Sequence, residues 1–307
     1  MKEAAVLFNP SSGRGRSLRR RARIERALTR NGIDFDWFVS RDENHLRRLA
    51  RSSAAGYGNL LVVGGDTSLQ IVASEAIASN DDPALGMLGA GSSNDIVLGL
   101  GGPDLDAVCR ALRRGRTRRM DVGCLEIPGE EAPILFLGTV SLGLGARVNR
   151  LVDGIWKRHP LIARGGDLSQ TLAGLWGIRR AFKDRCVPSS LTLKAGVRSE
   201  EISFSLMVFA NVPSYAGGMR LVPEATPFSG SLECCILSSG TYPRAMFVGL
   251  QVLRGRHLDM PDVRFMSGEA FEIASPDPLD VQYDGEIISD VSSFRVSVRP
   301  GALKVLI

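Results

Sequence analysis

Apolar residues arrive in short runs along the first 120 residues, and each run gives way to helical spacing. Residues 4–8, 60–63 and 84–88 are such runs, and 35–39 reads as a further strand. A strand buried on both faces of a parallel sheet reads as a continuous apolar run, whereas a strand with one wet face alternates. Helix-like spacing covers 17–31, 42–55, 69–79 and 104–114. Leu69, Val72, Ala73 and Ala76, for example, fall on one helical face. Strand and helix in alternation predict an α/β domain with a doubly wound parallel sheet over residues 1–121.

After Asp121 the texture changes. Alternating segments at 134–140, 191–197, 202–210, 231–237 and 281–283 are separated by turn-rich stretches, and helical spacing returns at 168–183 and 243–254. Residues 122–290 therefore read as a second, β-rich domain, a sandwich or partial barrel.

Composition narrows the class. A chain of 307 residues is long enough for two proper cores. No run of about 18 apolar residues occurs, so no membrane-spanning helix is expected. The five cysteines form no C-x-x-C pair and the three histidines are scattered, which argues against a zinc site. Reduced, buried thiols in a cytoplasmic protein are the expectation. The opening residues are too short an apolar stretch, and too acidic, for a signal peptide. The net charge of +5 owes much to Arg14, Arg16, Arg19, Arg20, Arg21, Arg23, Arg26 and Arg30. These suit a solvated helix face or attraction to phosphate or an anionic membrane. No aromatic residues interleave with them, so nucleic acid is not an expected partner.

The candidate chemistry sits where the strands of the first half end. Asn9-Pro10-Ser11-Ser12-Gly13, Gly64-Gly65-Asp66-Thr67-Ser68 and Gly91-Ser92-Ser93-Asn94-Asp95 each follow a strand. Ligands of doubly wound sheets bind at those ends, so the three loops are expected to converge. Glycines let the backbone approach a ligand closely, and N–H groups opening a helix favour phosphate. The first loop is not a P-loop, because the Gly-Lys-Ser/Thr ending is missing. Asp66 is an acid placed to manage a metal ion or a proton. Trp156, Trp176 and Phe182 read as ordinary core residues.

Three later motifs complete a series: Met120-Asp121-Val122, Ala216-Gly217-Gly218 followed by Pro223-Glu224-Ala225, and Asp284-Gly285-Glu286. In this order, over nearly the whole chain, they resemble the bacterial diacylglycerol kinase and sphingosine kinase superfamily of soluble lipid kinases. The resemblance implies a nucleotide-binding domain of 1–121 rejoined by the tail 291–307, and a lipid-acceptor domain of 122–290. It implies ATP and Mg²⁺ as cofactors. Asn9, Pro10, Ser11, Ser12, Gly13, Ser40, Gly64, Gly65, Asp66, Thr67, Ser68, Gly91, Ser92, Asn94 and Asp95 fall at or beside nucleotide-contacting positions. Glu286 falls at the position of the general base with Asp284 beside it, and Asp66 where an acid organises Mg–ATP. The implied partner is a lipid with a free hydroxyl, met at the membrane by peripheral association. The acceptor's identity and the oligomeric state, a homodimer included, stay open.

The departures are specific. Thr67 stands where the family has glycine, and a β-branched residue would be strained there by about 1–2 kcal/mol if the position needs a positive φ. Ser68 and Ser92 replace threonines and keep the hydroxyl. Gln70-Ile71 replaces Asn-Glu, and Leu98 replaces an arginine. Ser229 stands where many members have an aspartate at a structural Mg²⁺ site, so that metal is expected to be absent or weak. Two alternatives to a lipid kinase follow: a catalytically impaired nucleotide- or lipid-binding homologue, and a kinase of a non-lipid hydroxyl resembling the NAD kinases.

Overall fold

The computed structural model describes residues 2–15, 17–91, 93–102, 104–158, 166–184 and 189–307. Four parallel strands make the N-terminal sheet: β1 (Ala4–Phe8), β2 (Phe35–Val39), β3 (Asn59–Gly64) and β4 (Ala84–Gly89), in the order β4-β3-β1-β2. Residues 60–63 are fully buried, as the continuous apolar run requires. Alternate side chains serve opposite layers. Ala5, Leu7, Leu60 and Val62 pack against α2 (Glu43–Ala54) and α3 (Asp66–Ala78). Val6, Phe8, Leu61 and Val63 pack against α1 (Leu18–Arg30) and α5 (Leu105–Arg114). The doubly wound expectation holds. Between β4 and α5 lies the short α4 (Asp95–Gly99). On α1, Ile24, Ala27 and Leu28 turn inward while Arg20, Arg21, Arg23 and Arg26 face solvent, the solvated-face alternative.

The C-terminal half is β-rich, as expected. It contains β5 (Thr117–Glu126), β6 (Ile134–Phe136), β7 (Thr139–Gly143), β8 (Ser189–Ala195), β9 (Arg198–Phe204) and β10 (Leu206–Ala210). A small ribbon, β11 (Ser214–Tyr215) with β12 (Met219–Arg220), follows, then β13 (Leu232–Leu237) and β14 (Val263–Gly268). Two long strands close the chain, β15 (Ala270–Tyr283) and β16 (Glu286–Leu306). The period of two sorts β10 and β13 cleanly. Met207, Phe209, Cys234 and Ile236 face the interior of a β-sandwich with Phe271, Ile273, Phe294 and Val296. Leu206, Val208, Cys235 and Leu237 face helices α6 (Leu144–Arg158), α7 (Gly166–Lys183) and α8 (Tyr242–Leu253). The described cysteines are free and buried, and burial pushes the Cys235 thiol up to about 12.

One expectation fails here. Trp176 is exposed rather than core, because α7 turns Ala173, Gly177 and Ala181 inward. Phe182 does pack, edge-on against Tyr242. The Trp156 side chain lies outside the described residues.

Among the described residues, fourteen strands form one continuous sheet through both halves. The join is β16. It pairs antiparallel with β15 from Glu286 onward, then with β5, and meets β4 in parallel register at Val305 and Leu85. Pro300 and Gly301 sit in a register shift between Arg299 and Leu303.

Candidate active site

The loops after β1, β3 and β4 do converge. Asn9 Nδ2 donates to Ser68 Oγ at 2.9 Å, and Gly65 N donates to Ser12 Oγ at 3.3 Å. Ser11 N donates to Asn9 Oδ1 at 3.1 Å. Ala90 N donates to Gly64 O at 2.7 Å, and Arg20 donates to Gly89 O, tying α1 to the end of β4. The backbones of Gly65 and Gly91 touch. A Cβ on Gly91 would stand 2.6 Å from Gly65 Cα, and one on Gly64 would stand 2.4 Å from Ser68 Cβ. Only glycine permits this approach. Gly65 is the N-cap of α3, and among the described residues no side-chain cap bond closes that helix. Its first-turn N–H groups and the helix dipole favour an anion.

The individual side chains divide sharply in what they do. Pro10, Ser11 and the buried Gly13 belong to the first loop, while Ser40 is buried with its hydroxyl on Phe8 O at 3.3 Å. Asn94 takes a left-handed φ of 56° and spends its amide on Gly91, accepting from Gly91 N at 2.7 Å and donating to Gly91 O at 3.1 Å. Asp66 accepts from Asp95 N at 3.3 Å and Ile96 N at 3.2 Å, capping α4. Asp95 in turn accepts from Gly217 N and from Gly218 N at 2.7 Å, on the turn of the β11–β12 ribbon. Ser92 lies outside the described residues.

Thr67 corrects an expectation. It sits in the first turn of α3, not at a positive φ, so its β-branch is unstrained. Its Oγ1 donates to Glu286 Oε1 at 3.3 Å, linking the first turn of α3 to the start of β16. Three further departures make contacts of their own. Gln70 Nε2 donates to Leu135 O at 2.8 Å, and Ile71 is buried in the core behind α3. Leu98 lies against Gly218.

Asp284 and Gly285 form the two-residue turn between β15 and β16, with φ of 44° and 99°. Positive φ at both central residues is the type I′ signature, for which Asp-Gly is a preferred pair. The turn aims two carboxylates apart. Glu286 is exposed and reaches Thr67. Asp284 is sunk into backbone, accepting from Leu137 N at 2.6 Å, Gly138 N at 2.8 Å and Thr139 N at 3.0 Å. Sequence reasoning missed this nest of N–H groups, because backbone donors leave no residue-type signal.

The acids of the site repel one another. Burial, followed by the charge of Asp95, pushes Asp66 up to about 6. Burial pushes Asp284 up to about 7 against the pull of its three N–H donors, with Asp66 adding a smaller push. Burial also raises Asp95. Among the described residues, no group of three or more His, Cys, Asp and Glu forms a metal site by itself. Away from these residues, Asp121 accepts from Gly230 N at 2.7 Å and Gly301 N at 2.8 Å, pinning the 226–231 loop to the β16 register shift. Within that loop Ser229 Oγ lies 3.1 Å from the carbonyl oxygens of Thr226 and Ser231. A groove of about 590 Å³ on the outside of β8, β15 and β16 touches none of the site residues.

Comparison with known proteins places the chain in a family. Residues 3–125 match the diacylglycerol kinase catalytic domain, and residues 138–307 match the YegS C-terminal NAD kinase β-sandwich-like domain. A Chromohalobacter salexigens protein named a probable lipid kinase, YegS-like, is 30% identical over 83% of this chain and 78% of its own length. A Mycobacterium tuberculosis diacylglycerol kinase is 26% identical over 99% of this chain and 94% of its own. The crystal structure of a Bacillus anthracis diacylglycerol kinase superposes with a TM-score of 0.69 at 13% identity, covering 99% of this chain and 96% of that one, a likeness of fold. With both of its halves matched in order by that catalytic domain and its sandwich companion, the chain belongs to the diacylglycerol kinase-like family of lipid kinases.

Proposed function

We propose that the protein transfers the γ-phosphoryl group of Mg-bound ATP to a hydroxyl of a lipid such as diacylglycerol or a sphingoid base. The observation that carries this reading is the contact of Glu286 with Thr67. It sets an exposed carboxylate of the β-rich half against the uncapped first turn of α3, where phosphate is favoured.

In the reaction the lipid oxygen forms a bond to γ-phosphorus while the bond to the β-bridging oxygen breaks. The hydroxyl proton passes to Glu286, and the products are phosphorylated lipid and ADP. A positioned base of this kind contributes about 10²–10⁴ in rate. The touching backbones of Gly65 and Gly91, with the hydroxyl of Ser12, form the phosphate cradle. Asp284 is a positioning residue, since its oxygens are held by backbone N–H groups while Glu286, two residues on, stays exposed.

The residues fit a divalent cation. Asp66 and Asp95 repel each other in a buried setting, and polyphosphate brought beside them adds more negative charge. Mg²⁺ commonly binds through one or two carboxylates plus substrate phosphates, so a complete protein cage is not required. Asp66 would hold it, through water or phosphate, and the ion would neutralise charge on the transferring group.

The test is a single-turnover assay with γ-labelled ATP, Mg²⁺ and a total lipid extract, comparing wild type with Glu286→Gln and Asp66→Asn. A labelled lipid from wild type, reduced by about a hundredfold or more in Glu286→Gln, is expected. ATP binding without any labelled lipid would reject the transfer chemistry and leave a binding protein.

A further inference from the structure

Helix α8 has apolar residues on two sides. Val248 and Val252 are buried in the cluster that covers one face of β10 and β13. Phe247, Leu250 and Leu253 are exposed on the other side, Leu253 to 71%, and Leu258 beyond the helix is exposed too. Positions 247, 250 and 254 follow the helical repeat, so they lie along one stripe. Arg254 and Arg256, both exposed, end the stripe, and the Arg244 guanidinium lies 5.3 Å from the centre of the Phe247 ring. Arg244 is paired with Asp262, so Arg254 and Arg256 carry the stripe's charge. No Asp or Glu occurs from 242 to 258, and Asp259 is the next acid in sequence. The adjoining α7 exposes Leu175 and Trp176.

We infer that this stripe docks on an anionic lipid bilayer. The inference rests on the lipid-kinase reading above, which requires an acceptor drawn from a membrane. An amphipathic helix with large apolar residues and arginines suits the boundary between headgroups and acyl chains. A bilayer is favoured over a second copy by charge. A two-fold contact through this stripe would set Arg254 and Arg256 against the same stripe of the partner, which supplies no acid, whereas anionic headgroups supply negative charge. The stripe is also joined to the candidate active site. His257, just past α8, donates from Nε2 to Leu221 O at 2.9 Å, next to the β11–β12 ribbon whose turn holds Asp95. Docking α8 would bring that lip of the site to the membrane.

The test is flotation of the whole protein with phosphatidylcholine vesicles, with and without phosphatidylglycerol. Wild type should float with the anionic vesicles. An Arg254→Ala, Arg256→Ala double variant should partition about thirtyfold more weakly, from the usual contribution of a basic residue at such a surface. A Leu250→Gln, Leu253→Gln variant should weaken by about tenfold or more. Val197→Gln, fully exposed on the β8–β9 turn, should match wild type. Flotation that ignores phosphatidylglycerol, or that survives both α8 variants, overturns the inference. A leucine variant that turns a dimer into a monomer while floating normally also overturns it and makes the stripe a self-association surface. Phosphoryl transfer to lipid in detergent micelles needs no bilayer, so the α8 variants should retain it. A wild type that floats by this rule yet labels no lipid would sink the kinase reading and leave the docking surface standing.

Discussion

Replacing Asp284 with alanine separates two roles within one three-residue motif. The Asp284 carboxylate takes N–H groups from Leu137, Gly138 and Thr139 at 2.6, 2.8 and 3.0 Å. Alanine leaves all three donors without their partner. At about 1–2 kcal/mol for each stranded donor, the loss is about 3–6 kcal/mol. Alanine at a φ of 44° adds about 1 kcal/mol, since only Gly, Asn and Asp visit that region readily. That sum is a large share of a total stability of about 5–15 kcal/mol. Asparagine keeps one acceptor oxygen but turns a donor toward one N–H, so Asp284→Asn should fall between wild type and alanine. Glu286→Gln, at an exposed position, should unfold within about 0.5 kcal/mol of wild type while losing phosphoryl transfer. The assay is urea unfolding at pH 4, close to the ordinary value of 3.8, where the folded chain holds the proton that burial keeps on Asp284 to about pH 7 and the unfolded chain has released it only in part, so that ionisation offsets little of the loss. An Asp284→Ala loss below about 1 kcal/mol, or a comparable loss in Glu286→Gln, would refute the division between anchor and base.

Two further outcomes follow from the same geometry. The folded protein holds a proton on Asp66 up to about pH 6, while its ordinary value is 3.8, so the unfolded chain releases it first. Stability should therefore fall as pH rises from about 4 to about 6 and stay lowered above that, by on the order of 3 kcal/mol in the absence of cation. Asp66→Asn should shrink this limb by about that amount in urea titrations, leaving the share that belongs to Asp284, and an unchanged limb would mean that the acid is not strained by its surroundings. Gly91→Ala places a Cβ 2.6 Å from Gly65 Cα and should cost about 1–3 kcal/mol and abolish the rise in melting temperature with Mg–ATP. Gly249→Ala, within α8 and facing open space, should be neutral or stabilising, and equal damage from both would discredit the close-approach argument.

The N-terminal fold was legible because strands buried on both faces leave continuous apolar runs, and the glycine loops at their ends could be located from those runs. The long strands β15 and β16 were not. Pro276, Pro278, Pro300 and Gly301 interrupt any strand pattern there, yet the strands absorb them at register shifts. Helix α6 was missed as well, since Gly145 and Gly154 dilute its pattern. At the site, residue types marked Asp66, Asp284 and Glu286, but not the direction each carboxylate faces. That direction depends on a left-handed φ at Asp284 and on backbone N–H groups from distant segments. Thr67 was misjudged for a related reason, because its strain depended on a φ that the helix start does not require.

The path of β16 has a consequence for how the protein is made. The N-terminal sheet emerges first during synthesis, yet the flank of β4 gains its partner only when Val305 has been added. Until then β4 presents an unpaired edge of the kind that recruits other chains. Closing so distant a pair is slow, so the half that is synthesised first is completed last. Truncation within 303–306 should accordingly damage the lobe that carries the glycine loops, far away in sequence, and a nascent chain halted before β16 should be a strong client for chaperones.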